Sequence, residues 1–115
     1  MANPVTHFEV LGQDATGLQA FYGQAFGWEM QDMMNGAYYM AHPGSGINGG
    51  VGAAPEGQQG HVTFYVEVED PAATLARIGE LGGRTIQDPM DVPGGPTIAL
   101  FADPEGHVVG LVKGQ

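Results

Sequence analysis

The chain has 115 residues, a length typical of one compact domain, and 43% of them are hydrophobic, which is enough for a core. Thirteen acidic residues against three basic ones give a net charge of −10, which argues against nucleic acid and membranes as partners. The lack of cysteine excludes disulfides and thiolate metal sites, and with no secretory signal in the opening residues MANPVTHF, a cytoplasmic location is expected.

The first part of the chain predicts a strand followed by a helix. Residues 5–11 read as a strand, and because successive side chains of a strand point to opposite faces, His7 and Glu9 share one face. Asp14 is suited to cap a helix, and Gly27 can end that helix in a left-handed conformation.

Shorter strands and a linker complete the first half. Residues 28–34 and 37–42 are expected to form a hairpin that turns at the Asn-Gly of residues 35–36, a dipeptide suited to a type I′ turn. The glycine-rich residues 44–52 predict one further strand. Residues 54–60, with the sequence APEGQQG, are the best candidate for a linker.

The second half repeats the pattern more clearly. Residues 61–69 alternate, with His61, Tyr65 and Glu67 on one face of the predicted strand. An Asp-Pro pair at residues 70–71 provides both a capping carboxylate and a proline at the first helical position. The remaining strands are predicted at residues 84–87, 96–101 and 107–112.

A long internal repeat relates the two halves. The offset in sequence from Asp14 to Asp70 is the same as the offset from His7 to Thr63. A period this long, present only twice, indicates a duplication. We therefore predict an α+β fold of two βαβββ modules related by a pseudo-twofold axis within a single domain, 1–115. Module one spans residues 1–53, the linker residues 54–60 and module two residues 61–115.

Short motifs at matching places in both halves carry a family resemblance. They are HFEV from residue 7, FY at 21–22, FGW at 26–28, YVEVED at 65–70, LGG at 81–83 and DPEGHVVGL at 103–111. These motifs resemble the glyoxalase, bleomycin-resistance and extradiol-dioxygenase superfamily, also called vicinal oxygen chelate proteins. The resemblance covers nearly the whole chain. It implies strands curled into a half-open cup with helices outside, and chains that pair as homodimers.

The resemblance also implies where a metal site would lie. Metal-binding members of this superfamily place ligands on the first and last strands of each module. The matching positions are His7 and Thr63 on the first strands, and Gly49–Gly50 and Gly110 on the last. One imidazole does not hold Zn²⁺, Ni²⁺ or Fe²⁺, which take three or four protein ligands. No cofactor is therefore expected.

The predicted function is metal-independent binding of a small organic molecule, in the manner of a sequestration or resistance protein. Aromatic walls with a few carboxylates suit a cationic or aromatic ligand. Phe21 and Phe26 are expected instead to fill the core and interfaces. The residues expected to contact the ligand are His7, Glu9, Trp28, Tyr65 and Glu67.

An enzyme of the same superfamily, a lyase, isomerase or dioxygenase, is the alternative. It would need a degenerate or shifted site for a divalent metal such as Zn, Ni or Fe, built from His7, His61 and a nearby acid. The simpler interpretation makes His61 and His107 surface histidines at strand ends. The sequence does not decide whether the protein is an enzyme; if it is one, a lyase of the glyoxalase type is expected.

Overall fold

A computed structural model describes residues 2–114 of the chain. It contains two helices and eight strands in the order β-α-β-β-β, twice over, so the predicted α+β class and the two βαβββ modules are confirmed. Within residues 2–114 no helix is long and apolar enough to cross a membrane. The elements are β1 (Val5–Gly12), α1 (Ala15–Phe26), β2 (Glu29–Asp32), β3 (Tyr38–His42), β4 (Gly49–Ala53), β5 (His61–Val68), α2 (Pro71–Glu80), β6 (Arg84–Asp91), β7 (Thr97–Ala102) and β8 (Val108–Lys113).

The chain divides into two compact units. One runs from His7 to Thr63, and the other is built from the residues on either side of that segment. The predicted linker, residues 54–60, lies between β4 and β5 and contains neither helix nor strand. The predicted curling of the strands into a cup depends on the two units together, and it stays a prediction.

The first unit pairs its strands in the order β2-β3-β4-β1, with β1 parallel to β4 and the other pairs antiparallel. The Asp14 carboxylate accepts a hydrogen bond of 3.0 Å from the backbone N–H of Gly17, and Gly27 ends α1 with a φ of +72°. Asn35 and Gly36 both have positive φ, as a type I′ turn requires. The predicted caps and hairpin turn are therefore confirmed.

The second unit pairs its strands in the order β5-β8-β7-β6, with β5 parallel to β8. Its core is a cluster of apolar side chains from β5, α2, β7 and β8. The Asp70 carboxylate caps α2 by accepting a hydrogen bond of 3.2 Å from Ala73 N–H. The members of the core cluster are Val68, Leu75, Ala99 and Leu111.

Strand β6 is longer than the four residues that the sequence predicts. It continues through Pro89 to Asp91 and shifts register against β7 between Gln87 and Met90. Proline lacks the N–H that a central strand needs, but it is tolerated at an edge or a bulge. Because β6 pairs only with β7 within its unit, Pro89 does not end the strand.

Candidate functional site

The site is centred on Glu9, a carboxylate in the middle of β1 that is only 8% exposed. Its Oε2 accepts a hydrogen bond of 3.1 Å from the Tyr38 hydroxyl on β3. Its Oε1 lies 3.0 Å from Nε2 of His61, at the start of β5. All three residues belong to the unit His7–Thr63. A buried carboxylate is costly unless it is hydrogen-bonded, and here each oxygen has a donor.

His7 joins this network through Tyr38. Its Nε2 lies 3.3 Å from the Tyr38 hydroxyl oxygen. A phenol has a single proton, and Tyr38 donates it to Glu9, so the hydroxyl can only accept from His7. The network therefore has a direction: His7 N–H donates to Tyr38, whose O–H donates to Glu9. We call His7, Tyr38, Glu9 and His61 the Glu9 network.

Burial lowers the pKa of His7 below its usual value, and the nearby Glu9 carboxylate only partly opposes this effect. The imidazole is therefore neutral at neutral pH, so only one of its two nitrogens carries a proton. That state matches the hydrogen bonds, in which a proton on Nε2 points at Tyr38.

His7 should make the folded protein less stable as the pH falls below 6.5, the ordinary pKa of a histidine side chain. Below this pH the histidine is protonated in the unfolded state but stays neutral in the folded state, where its pKa is lower. The free energy of unfolding therefore decreases as the pH falls. We expect His7→Gln, which has no titrating group, to lose less stability than the wild type between about pH 7 and pH 5. Urea unfolding at several pH values measures this difference. His42→Gln, on β3 outside the Glu9 network, is the control, and equal pH dependence in all three proteins would contradict the prediction.

Tyr38 reaches Glu9 across a strand that has no side chain in its way. Gly50 on β4 pairs with Glu9 on one side and with Met40 of β3 on the other. A Cβ built on Gly50 would overlap the hydroxyl and ring of Tyr38, and one on Gly52 would lie 2.5 Å from the same ring. The glycines therefore leave the volume that the tyrosine ring fills.

In the second unit a tyrosine ring likewise fills the volume beside a strand glycine. Tyr65 on β5 pairs with Gly110 on β8, and a Cβ built on Gly110 would overlap the Tyr65 ring. Tyr65 is only 6% exposed. Gly50 and Gly110 are among the last-strand positions where the superfamily resemblance implies a metal ligand. In both modules a tyrosine ring thus fills the volume that a side chain at the last-strand glycine would occupy.

The structure does not bring Trp28 to His7 and Glu9. The Trp28 ring lies 5.2 Å from Phe8, between ring centroids, and stacks on Tyr22 at 5.9 Å. Phe8 is adjacent to Glu9 in β1, so the two side chains point to opposite faces of the strand. A ligand-binding role for Trp28 stays a prediction.

Tyr65 and Glu67 lie in the other unit, so their predicted participation in one site with His7 and Glu9 stays a prediction. The Glu67 side chain packs beside Gly114. The backbone N–H of Glu67 donates a hydrogen bond of 2.9 Å to the carbonyl oxygen of Pro4.

The two further histidines behave differently from each other. His107 is exposed and pairs with Asp103 at 2.9 Å, as expected of a surface residue in a turn. His61 is not a surface histidine: it is bonded to Glu9, and 27% of its side chain is exposed. The Asp103 carboxylate accepts hydrogen bonds from the backbone N–H groups of His107 and Glu105, and these bonds lower the pKa of its carboxyl. Asp103 thus stabilises the turn before β8.

The donor set of the Glu9 network does not suit a divalent metal. His7 directs its Nε2 proton at Tyr38, and both Glu9 oxygens already accept hydrogen bonds. Within residues 2–114 no three histidine, aspartate or glutamate side chains come together in a group able to hold a metal ion.

Comparison with known proteins decides the family. Residues 9–112 match the family model described as a glyoxalase-like domain. The chain belongs to the glyoxalase-like family. This glyoxalase-like chain is 31% identical over 98 residues to the glyoxylase-named protein CFP32 of Mycobacterium bovis. The match covers 82% of the chain but only 38% of CFP32, so the chain spans well under half the length of that relative.

Solved structures share the fold of the glyoxalase-like chain at low sequence identity. A glyoxalase/bleomycin resistance protein/dioxygenase superfamily member from Vibrio splendidus has a TM-score of 0.68 at 15% identity, covering 98% of this chain and 100% of that one. Methylmalonyl-CoA epimerase from Mycobacterium tuberculosis also has a TM-score of 0.68 at 15% identity, over 96% and 87% of the two chains. These matches establish the fold and leave the activity open.

Proposed function

We propose that this glyoxalase-like chain binds a small organic molecule without a metal, and that the Glu9 network is its polar site. One observation carries the proposal: the Tyr38 hydroxyl donates to Glu9 from the volume that a side chain at Gly50 would occupy. The superfamily resemblance implies a metal ligand in this region of β4. Because the Tyr38 hydroxyl donates to Glu9 in that region, the arrangement supports a site that binds its ligand through hydrogen bonds.

The chemistry of the network favours a flat cationic ligand. Glu9 is a buried acid in a chain of net charge −10, so a positive charge at the site relieves an unfavourable field. His61 is the partially exposed partner, and it occupies only Oε1. One N–H of an amidinium or guanidinium group can take the place of His61 on Oε1 and form a charge-assisted hydrogen bond there, while Tyr38 keeps its bond to Oε2. The site then serves sequestration of such a compound in the cytoplasm.

A proton-transfer enzyme, a lyase or isomerase of the same superfamily, is the second candidate. The observation that favours it is the directed series of hydrogen bonds from a neutral His7 through Tyr38 to Glu9. A neutral imidazole and a carboxylate are both competent bases at neutral pH. This candidate requires a substrate with an acidic C–H group, and turnover that depends on both His7 and Glu9.

Isothermal titration calorimetry with benzamidine tests the binding proposal, with benzamide as the neutral isostere. We expect benzamidine to bind with a Kd below about 1 mM and benzamide to bind at least about tenfold more weakly. Glu9→Gln should remove most of the benzamidine affinity because it removes the negative charge. Glu29→Gln, at an exposed acid on β2, is the matched control and should bind as the wild type does.

Two results would contradict the proposal. The first is equal affinity for benzamidine in the wild type and Glu9→Gln. The second is one equivalent of tightly held transition metal in the purified protein that is lost in His7→Ala. Elemental analysis by mass spectrometry measures that metal content. Bound metal of this kind would favour the enzyme candidate over the binding proposal.

A further inference from the structure

The turn between β2 and β3 carries a sequence that is prone to spontaneous chemical change. In an Asn-Gly pair the backbone nitrogen of glycine can attack the side-chain amide of asparagine, because glycine has no side chain to shield that nitrogen. Asn35 and Gly36 are such a pair, and Asn35 is exposed. The tip of this hairpin is therefore a candidate site of covalent modification.

The reaction available to Asn35 is deamidation in two steps. The Gly36 nitrogen loses its proton to hydroxide and forms a bond to Cγ of Asn35, and the side-chain nitrogen leaves as ammonia after taking a proton from water. Water then opens the resulting succinimide ring at one of its two carbonyl carbons. The products are aspartate, which has an unchanged backbone, and isoaspartate, in which the chain runs through the side chain and is longer by one methylene group.

The Asp32 carboxylate holds this turn closed. Its Oδ1 accepts hydrogen bonds from the backbone N–H of Gly36, at 2.9 Å, and from that of Met34, at 3.1 Å. The proton that must be lost is thus bonded to a carboxylate, whose negative charge opposes the formation of an amide anion beside it. The Met34 carbonyl also accepts a hydrogen bond of 3.0 Å from Ala37 N–H, which closes the turn at its base.

The backbone of the closed turn also keeps the reacting atoms apart. Asn35 has a φ of +51° and Gly36 a φ of +86°, as in a type I′ turn. The first central residue of a type I turn has a ψ of about −30°, so in its mirror image ψ is about +30°, and the next nitrogen then points away from Cβ. The succinimide ring needs that nitrogen on the same side of the Cα–C bond as Cβ. Asn35 can therefore react only when the turn opens.

A second Asn-Gly pair in the chain lies in a more protected place. Asn48 precedes Gly49, the first residue of β4, and β4 pairs with β1 on one side and with β3 on the other. Gly49 is buried, so its nitrogen becomes available only when a central strand of the unit comes apart. The third asparagine, Asn3, precedes Pro4, which has no N–H to lose. The folded chain therefore favours reaction at Asn35.

We propose that Asn35 is a site of spontaneous deamidation in the folded protein, and that Asp32 controls the rate by keeping the turn closed. Isoaspartate at position 35 lengthens a two-residue turn that fixes the register of β2 and β3. Directly beyond this turn, the N–H of Met33 donates a hydrogen bond of 2.9 Å to the carbonyl oxygen of Tyr38. The isoaspartate form should therefore be less stable than the unmodified protein. This proposal does not depend on the function of the Glu9 network.

Incubation at mildly alkaline pH, followed by pepsin digestion and mass spectrometry, measures deamidation at each asparagine separately. In the folded wild type, Asn35 should react at least about tenfold faster than Asn48, because a hairpin tip opens more readily than a central strand. In guanidinium chloride the two Asn-Gly pairs should react at similar rates, both faster than in the folded protein. Isoaspartyl methyltransferase with a labelled methyl donor measures isoaspartate, which should fall in Asn35→Gly to the amount formed at Asn48.

A matched pair of variants tests the role of Asp32. Asp32→Ala removes the acceptor of the Gly36 N–H, and it should speed the reaction at Asn35 at least about tenfold because a charge-assisted hydrogen bond is lost. The rate at Asn48 should not change. Glu29→Ala removes an exposed acid from the other end of the same strand and should react as the wild type does.

The rate at Asn48 also reports whether the Asp32 variant is folded. If both asparagines accelerate in Asp32→Ala, that variant has unfolded, and Asp32→Asn, which keeps an acceptor oxygen but loses the charge, takes its place and should accelerate Asn35 alone. The proposal is overturned if Asn35 is no faster than Asn48 in the folded wild type, or does not react there over many half-lives of the unfolded chain. It is also overturned if the loss of the Asp32 carboxylate in a folded variant leaves the rate at Asn35 unchanged.

Discussion

Gly50→Ala is expected to detach Tyr38 from Glu9 and to lower the free energy of unfolding by about 2–4 kcal/mol. The added methyl would overlap the hydroxyl and ring of Tyr38, so the ring must move away. Glu9 then loses the donor to Oε2, and His7 loses the hydroxyl that lies 3.3 Å from its Nε2. Alanine is ordinarily better than glycine inside a strand, so the predicted sign is opposite to the intrinsic preference. Urea unfolding measures the loss.

A double-mutant cycle with Tyr38→Ala tests this explanation. When the tyrosine ring is absent, the methyl at position 50 meets no ring, and Gly50→Ala should cost less than about 1 kcal/mol. The coupling free energy between the two substitutions reports the overlap directly. If Gly50→Ala is equally damaging with and without Tyr38, the cause lies in the backbone of β4 and the explanation fails.

Gly60→Ala is expected to be the most damaging single substitution in the linker, with a loss of more than about 3 kcal/mol. Gly60 has a φ of +101°, and a Cβ there would overlap the carbonyl group of Leu11 and lie 3.0 Å from Cα of Gly12. These are backbone atoms of β1, which cannot rotate away as a side chain can. The strand that presents Glu9 must therefore shift.

Gly57→Ala is the matched control for this substitution. Gly57 lies in the same linker and has a φ of +84°, but a Cβ there would meet no atom within 4 Å. Gly57→Ala should therefore carry only the strain of the left-handed conformation, about 1–2 kcal/mol. The difference between the two unfolding free energies isolates the overlap with β1. Equal losses at both positions would show that positive φ alone explains the effect.

Much of the fold could be predicted because its signals are local. Asp14 and Asp70 cap the two helices as expected, and the Asn-Gly turn has the predicted conformation. The repeat of these signals at a fixed offset is what identified two modules. The predicted length of β6 was too short because proline ordinarily ends a strand. Pro89 is compatible with β6 because that strand has one partner in its unit.

The site could be predicted only in part. The shared face of His7 and Glu9 follows from alternation along one strand. Tyr38 and His61 lie 29 and 52 residues from Glu9 in sequence, and their meeting depends on the register between strands, which alternation does not specify. The usable signal was Gly50, because a glycine inside a strand often marks the close approach of another group. Phe21 and Phe26 were expected to lie in the core or at interfaces, but they are 62% and 61% exposed, so neither lies in the core of its unit. Helical spacing of apolar residues does not show which of them face the core.

Tyr38 and Gly50 share one volume, and this has a consequence for how the sequence can evolve. Neither residue can be replaced independently: a larger residue at position 50, a carboxylate included, requires a smaller one at position 38. The same constraint links positions 65 and 110. Among homologous chains, each pair should therefore vary together, tyrosine accompanying glycine and smaller side chains accompanying the rest.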